Sequence, residues 1–205
     1  SHIVNPGGVY EFYQRAGYDA LSRLKIIVSL REPVSRELSL YNHHVECVLA
    51  GEEKSNNAQN WRWCNDVMRR DERLSFEEYA NSRLKKWLSE YPKRISLSIY
   101  VDYLKEWMSL FHRDQILVLS YDEITEDPSM VQWRIRQFLG GEFPGELSHS
   151  NHRDYEGKVE RASLETRLTL EPFFYEKNLE LYRLLDKNPG PWMEQRPFHR
   201  FRDFG

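Results

Sequence analysis

A short apolar run that leads directly into a helix start is the feature that most restricts how this chain can fold. Residues 24–30 read LKIIVSL, and so many Ile and Val residues over that length predict a buried parallel strand covered on both faces. Pro33 suits the first turn of a helix, where its missing N–H group is harmless. Apolar side chains then recur at helical spacing, at Val34, Leu38, Tyr41, Val45 and Val48. The segment therefore predicts a strand, a tight turn and a helix.

The remaining sequence predicts one further buried strand among several helices. Residues 115–120, QILVLS, are the second strand candidate. Helices are predicted over residues 9–17, 61–71, 75–88, 98–112, 128–139 and 164–185, the last with a break at Pro172. Two buried strands with helices between them predict an α/β fold with a parallel sheet and right-handed crossovers. Since two strands do not make an independent sheet of this type, further strands are expected within unassigned segments or outside these 205 residues.

Two of these helices carry sequence signals at their ends. Ser75 followed three residues later by Glu78 is a capping box, which predicts a helix start. Asp127 before Pro128 is an N-cap with proline at the first helical position, and Gly140 is a stop signal. These signals set the predicted ends of both helices.

The charge balance argues against one broad class of function. The chain has 205 residues, with 29 Lys and Arg against 32 Asp and Glu, and a formal net charge of −3. Proteins that bind duplex nucleic acid over a broad face are normally basic, so this class is disfavoured, whereas a local basic pocket is compatible. The length suits a single domain, and no apolar run is long enough to span a membrane.

The two cysteines, Cys47 and Cys64, are too few for a disulfide scaffold and give no CxxC pair. Two buried thiols are the favoured interpretation, and a bridge between them stays open as the alternative. No cluster of side chains with metal-ligand spacing appears, so no metal site is predicted.

The end of the first predicted strand is the candidate site. In open α/β sheets, ligands bind beyond the carboxyl ends of the strands, and Arg31 follows the strand there. A helix begins within two residues, Ser35 and Ser39 share one face of it, and Arg36 lies one step round. An arginine fork, hydroxyls and a helix N-terminus together make a phosphate site. An arginine at a sheet edge with solvated serines is the alternative.

The same residues resemble a known signature. The segment KIIVSLREPVSRELSLY looks like the second nucleotide-binding signature of the sulfotransferases that use 3′-phosphoadenosine 5′-phosphosulfate. The pattern R-x-P-x-x-R-x-x-S-x-Y is met by Arg31, Pro33, Arg36, Ser39 and Tyr41. In that family the first arginine and the serine eight positions later grip the 3′-phosphate. The resemblance therefore assigns cofactor binding to Arg31 and Ser39.

Two further segments resemble the same family. Residues 98–140 are similar to its Tyr-helix, its ILVL strand and its DP-capped helix that ends in FLG. Residues 173–185 are similar to its closing helix. The matching residues of the longer segment are Tyr100, Leu104, Trp107, Phe111, Tyr121, Asp127, Pro128, Phe138, Leu139 and Gly140. The resemblance is strongest to the carbohydrate type, including heparan and Golgi enzymes and their bacterial and algal relatives. It implies one domain over residues 1–205 with a P-loop-NTPase-like parallel sheet flanked by helices.

The chain also departs from the family pattern. The family holds the nucleotide with a basic loop before the closing helix, and Gly157, Lys158 and Arg161 stand there without the usual Lys-Gly-Arg order. Lys158 and Arg161 are candidate cofactor-binding residues, with a solvated charged loop as the alternative. The family's first strand and its Gly/Lys/Thr-rich phosphosulfate loop have no counterpart, so the first βα unit is expected to be missing. The catalytic base is then expected upstream of Ser1.

No histidine is assigned as that base. His2 fits the family's position poorly and is interpreted as a flexible terminal residue, while His43 and His44 are interpreted as solvated or hydrogen-bonded histidines. Trp61 and Trp63 are candidates for stacking on a sugar, with core packing as the alternative.

The resemblance implies transfer of a sulfuryl group from 3′-phosphoadenosine 5′-phosphosulfate to a hydroxyl or amine, with adenosine 3′,5′-bisphosphate as the product. A carbohydrate is the expected acceptor, and a small-molecule hydroxyl stays open. A non-catalytic nucleotide- or glycan-binding module is the rival. A P-loop kinase relative is disfavoured because no Walker loop is found. The compartment stays open: the expectation is a soluble domain, in the Golgi lumen for a eukaryotic carbohydrate-type enzyme and in the cytoplasm for a bacterial one.

Overall fold

A computed structural model of the chain describes residues 5–49, 66–69, 72–90, 96–141, 162–187 and 198–201. Helices predominate in this part of the chain, and four short strands accompany them. In chain order the elements are α1 (Pro6–Arg15), α2 (Tyr18–Arg23), β1 (Ile26–Leu30), α3 (Pro33–Leu49), β2 (Met68–Arg69), β3 (Glu72–Arg73), α4 (Phe76–Glu90), α5 (Tyr100–Leu110), a 3-10 turn (Arg113–Gln115), β4 (Ile116–Ser120), α6 (Tyr121–Glu126), α7 (Pro128–Leu139) and α8 (Leu164–Lys187).

The contacts within the chain define two compact units. The first takes in Ser1–Glu32, Ile99–Asn151 and Lys177–Gly205, and the second takes in Pro33–Ser98 and His152–Glu176. The chain therefore leaves the first unit at the start of α3 and returns to it at the start of α5. This division does not test the expectation of one domain over residues 1–205, which stays a prediction.

The first unit contains the predicted parallel sheet. Strands β1 and β4 pair in parallel, in register from Ile26 opposite Ile116 to Leu30 opposite Ser120. Both strands were predicted from their apolar runs, and their parallel pairing confirms the α/β class. Within the described residues this sheet has two strands, because β2 and β3 pair with each other as a separate antiparallel hairpin.

The two strands differ in burial. Every residue of β4 is buried, as its sequence predicts. In β1, however, Ile27 is 43% exposed and Ser29 is also exposed, whereas Leu30 is buried. The prediction of a first strand covered on both faces is therefore wrong. Alternate side chains of a strand point to opposite faces, and the structure described covers only one face of β1 well.

One hydrophobic cluster of the first unit lies between β4 and α7. Leu117 and Leu119 of the strand pack with Val131 and Phe138 of the helix. Helix α7 begins as predicted, because the Asp127 carboxylate accepts a hydrogen bond from the Met130 N–H group at 3.1 Å. It ends at Gly140, whose φ of 73° lies in the left-handed region. These caps fix the ends of the helix that covers the fully buried strand.

A buried ion pair joins the same elements. Arg134 of α7 is 1% exposed and forms a salt bridge with Glu123 of α6, which is 5% exposed. Arg134 also donates to the carbonyl oxygen of Val118 at 3.4 Å. Because a charge removed from water needs a partner, Glu123 and Arg134 depend on each other.

The second unit is built around aromatic side chains. Tyr41 of α3 lies 5.5 Å from the ring of Phe76 and 5.3 Å from the ring of Tyr79, measured between ring centroids. The Tyr41 hydroxyl donates to the carbonyl oxygen of Leu74 at 2.7 Å. The predicted capping box at the start of α4 is present: the Glu78 N–H group donates to the Ser75 hydroxyl, and Glu78 accepts from the Ser75 N–H group. This cap positions Phe76 and Tyr79 for packing on α3.

Two local predictions are wrong. Residues 68–69 are strand and not helix, because Met68 pairs with Arg73 and Arg69 pairs with Glu72. Helix α8 continues through Pro172 without the predicted break. Proline removes only one N–H donor, and buried Leu170 and Phe174 anchor the helix on both sides of it. In the regions that the structure describes, we find no helix with the length and apolar character needed to cross a bilayer.

Candidate functional site

The carboxyl ends of the two parallel strands bring two side chains together. Arg31 follows β1 and Tyr121 follows β4, and their neighbours Leu30 and Ser120 are partners in the sheet register. The guanidinium carbon of Arg31 lies 4.8 Å from the centroid of the Tyr121 ring. Such a cation–π contact stabilises by about 0.5–1 kcal/mol where it is partly exposed. Tyr121 is 37% exposed, so the pair lies where a ligand from solvent can reach it.

The backbone of Arg31 is held as well. The hydroxyl of Tyr100, at the first position of α5, donates to the carbonyl oxygen of Arg31 at 2.8 Å. Arg31 is therefore anchored through its side chain by Tyr121 and through its main chain by Tyr100. A planar arginine fork held in this way is suited to binding two oxygens of a phosphate group at once.

Arg36, the second arginine of the signature, has a different role. Its Nη1 atom donates to the Ser98 hydroxyl at 3.1 Å and lies 3.3 Å from Oε1 of Glu37. Glu37 is 3% exposed and also accepts hydrogen bonds from Ser96 at 3.0 Å and from Ser98 at 2.6 Å. Arg36 thus neutralises a buried carboxylate within the second unit, which favours a structural role over phosphate binding.

The structure places one further basic residue near the signature, which the sequence did not indicate. Arg167 of α8 donates from Nη2 to the hydroxyl of Ser35, in the first turn of α3, at 3.5 Å. From sequence alone, Arg167 and Glu171 have the spacing of an ordinary helix-surface ion pair. In the structure, Nη1 of Arg167 lies 4.0 Å from Oε1 of Glu171. Only the packing of α8 against α3 within the second unit places Arg167 beside a signature residue.

The two histidines on α3 differ in exposure. His44 is 2% exposed, and desolvation by burial lowers its pKa from 6.5 to about 4. It is therefore neutral at pH 7. His43 is exposed, and its Nε2 atom lies 4.0 Å from the Cys47 sulfur. The exposure of His43 agrees with its interpretation as a solvated histidine.

One cavity in the first unit is unsuited to a nucleotide. Its volume is about 710 Å³, and its lining carries more negative than positive groups. The residues lining it are Glu123, Glu126, Asp127, Asp186, Phe198, His199 and Arg200. Arg200 is already paired with Asp186 at 3.1 Å and Glu123 with Arg134, so Glu126 and Asp127 would repel a phosphate. The described residues also form no group of three or more His, Cys, Asp or Glu side chains able to hold a metal ion.

The predicted nucleotide ligands are only partly described. Arg31 belongs to the first unit and Ser39, half-buried on α3, to the second, so their joint grip on one phosphate stays a prediction. Several other candidates lie outside the described residues: His2, Trp61, Trp63, Cys64, Gly157, Lys158 and Arg161. The pairing of Cys47 with Cys64 therefore stays untested.

Comparison with known proteins connects these features to a family. A family model described as "Sulfotransferase domain" matches residues 19–168. No curated protein matches the sequence at a significant level. Among solved structures, the chain is similar to the crystal structure of a sulfotransferase from Alicyclobacillus acidocaldarius, with a TM-score of 0.58 and 22% sequence identity. The match covers 93% of this chain and 64% of the other.

The two comparisons agree with the observed architecture. At 22% identity the solved structure shows a shared fold, and the chain spans about 64% of its length. The family model is more specific, because its matched segment includes β1, the signature at the start of α3, and β4 with the helices that follow it. It covers well over half of the 205 residues, and on this basis the chain belongs to the sulfotransferase domain family.

Proposed function

We propose that this chain acts in sulfuryl transfer from 3′-phosphoadenosine 5′-phosphosulfate to a hydroxyl or amine group. The observation that carries the proposal is the placement of Arg31. It stands at the carboxyl end of a parallel strand, its guanidinium lies over Tyr121, and its signature continues into α3. Ligands of open α/β sheets bind at this edge.

Arg31 is proposed to bind the 3′-phosphate of the donor. Its five N–H donors form a fork that matches phosphate oxygens, and its permanent charge favours the dianion. By the family resemblance Ser39 is the second ligand, and Lys158 and Arg161 are further candidates from the loop before α8. Arg167 is close enough to Ser35 to add positive charge near the same signature helix.

The chemistry resembles phosphoryl transfer, in which positioning and charge stabilisation matter most. The acceptor oxygen or nitrogen attacks sulfur, and a bond to sulfur forms as the bond from sulfur to the 5′-phosphate oxygen breaks. The bonding electron pair leaves with that oxygen, so the second product is adenosine 3′,5′-bisphosphate. The acceptor proton passes to a general base, a carboxylate or an imidazole, which we do not assign to any described residue.

A carbohydrate is the proposed acceptor class. The support is the likeness of the three sequence segments to carbohydrate-type sulfotransferases, and a small-molecule hydroxyl is the alternative. A net charge of −3 disfavours a densely sulfated acceptor, because like charges repel during approach. An acceptor with few or no sulfate groups is therefore the first to test.

Two measurements test this function, nucleotide binding by the 205-residue chain and sulfate transfer by a chain extended upstream. Calorimetry should show tighter binding of adenosine 3′,5′-bisphosphate than of adenosine 5′-monophosphate, which lacks the 3′-phosphate. Transfer of radiolabelled sulfate from the donor to a panel of sugars and alcohols then tests catalysis. Equal affinity for both nucleotides would contradict the proposed donor. Binding without transfer, in a chain extended upstream to include the family's phosphosulfate loop and base, would favour the rival, a non-catalytic nucleotide-binding module.

A further inference from the structure

The hydrogen bond from Tyr100 to Arg31 joins distant parts of the sequence. The donor hydroxyl and the acceptor carbonyl are 69 residues apart in the chain and 2.8 Å apart in space. The acceptor lies just beyond the strand ladder, whose last paired residue is Leu30. A hydrogen bond at this place holds the peptide plane through which β1 leaves the sheet.

A fixed peptide plane has a consequence for the Arg31 side chain. The direction of the Cα–Cβ bond follows from the backbone torsions, so a loose carbonyl allows the guanidinium to swing away from Tyr121. With the carbonyl bonded to Tyr100, the guanidinium stays over the aromatic ring at 4.8 Å. Groups that are already in place when a ligand arrives lose less entropy on binding.

Tyr100 is itself held in place by the first unit. Its ring lies 6.2 Å from the ring of Phe201, measured between centroids. Phe201 is 5% exposed, and its N–H group donates to the Tyr182 hydroxyl at 3.2 Å. Removing only the hydroxyl of Tyr100 therefore leaves its ring with the same packing partner.

We propose that Tyr100 is a positioning residue for the guanidinium of Arg31, and through it for the 3′-phosphate of the nucleotide. This inference rests on the proposed function. It assigns Tyr100 no contact with the nucleotide. Its effect on affinity must therefore depend on both the 3′-phosphate and the Arg31 side chain.

Calorimetry with two nucleotides tests this dependence. Tyr100→Phe is expected to bind adenosine 3′,5′-bisphosphate about three- to tenfold more weakly than the unchanged chain, the effect of losing one neutral hydrogen bond. Its affinity for adenosine 5′-monophosphate should not change. Tyr18→Phe is the matched control, because Tyr18 is 84% exposed and the same hydroxyl is deleted there. It should leave both affinities unchanged.

A double-mutant cycle completes the test. In an Arg31→Ala background, Tyr100→Phe should cause no further loss of bisphosphate affinity. A loss that is equal for both nucleotides, or that persists without Arg31, would show a general structural role and overturn the inference. So would unchanged affinity in Tyr100→Phe while the unchanged chain still prefers the bisphosphate, and the proposed function would then stand. Without that preference in the unchanged chain, the proposed function and the inference fail together.

Discussion

Replacing Arg31 by alanine is expected to weaken binding of adenosine 3′,5′-bisphosphate strongly while leaving adenosine 5′-monophosphate almost unaffected. The change removes a guanidinium that is held 4.8 Å from the Tyr121 ring at the carboxyl end of β1. Deleting one member of a desolvated, hydrogen-bonded charge pair costs about 2–5 kcal/mol. Because Tyr121 is 37% exposed, water screens the site in part, and we expect the lower part of that range, about 2–3 kcal/mol.

This free energy corresponds to a loss of about 30- to 150-fold in affinity. Arg31→Lys should fall between alanine and the unchanged chain, because it retains the charge and loses the fork that binds two oxygens at once. Calorimetry with both nucleotides measures the effect directly. The melting temperature of each variant shows whether the fold is retained.

Arg15→Ala is the matched control for charge. Arg15 lies on α1 in the same unit, its side chain is 84% exposed, and its ion pair with Glu11 is a long 3.9 Å. The control removes the same positive charge and should change neither affinity. If a folded Arg31→Ala variant binds the bisphosphate as tightly as the unchanged chain, Arg31 is not the phosphate ligand and the reasoning from the strand end is refuted.

Three further predictions concern the stability of interactions within each of the two units. Arg134→Met leaves Glu123 as a buried carboxylate without its partner and should lower the free energy of unfolding, measured in urea, by about 3–5 kcal/mol. Adding Glu123→Leu should recover most of this loss. If the double variant shows no recovery, the ion-pair argument is contradicted. Tyr41→Phe removes the hydroxyl that donates to Leu74 and should cost about 1 kcal/mol in the same assay, so an unchanged midpoint would count against that bond. Burial lowers the pKa of His44 from 6.5 to about 4, so the unfolded state binds more protons than the folded state below about pH 6.5. The contribution of His44 to the free energy of unfolding should be complete above that pH and fall by up to about 3 kcal/mol as the pH drops to 4. Urea titrations at several pH values measure this slope, and His44→Gln should flatten it.

The sequence predicts best those features that depend on a few neighbouring residues. The capping box of Ser75 and Glu78 and the Asp127 cap of α7 are local hydrogen bonds over three residues, and both are present. The apolar runs of β1 and β4 identify strands, because their length and Ile and Val content are local as well. The structure confirms all of these features.

The errors arise where distant contacts decide the outcome. The exposure of Ile27 depends on what covers each face of β1, which the run LKIIVSL does not encode. The pairing of Met68 with Arg73 overrides the helix predicted at residues 68–69. At Pro172 the packing of Leu170 and Phe174 outweighs the loss of one hydrogen bond. In each case tertiary packing prevails over a local preference.

The candidate site shows the same difference between features set by neighbouring residues and features set by distant contacts. Arg31 could be placed at a strand end from the sequence, since the strand itself was recognisable. Its contacts with Tyr121 and Tyr100 could not, because they depend on the parallel register of β1 with β4 and on a hydrogen bond across 69 residues. Tyr100 and Tyr121 had been recognised only as members of a family-like segment, without a role.

The two arginines of the signature show that a motif alone does not assign a function to each of its residues. Arg36 is bonded to Glu37 and Ser98, and Glu37 is 3% exposed. A ligand phosphate that took Arg36 would leave this carboxylate buried without its cation, at a cost of several kcal/mol. Arg31 lies against the aromatic face of Tyr121. A phosphate that binds its guanidinium therefore leaves no buried carboxylate without its cation. Ser98 and Tyr121, which lie 62 and 90 positions from their arginines, contribute to this difference, and it favours Arg31 over Arg36 as the proposed phosphate ligand.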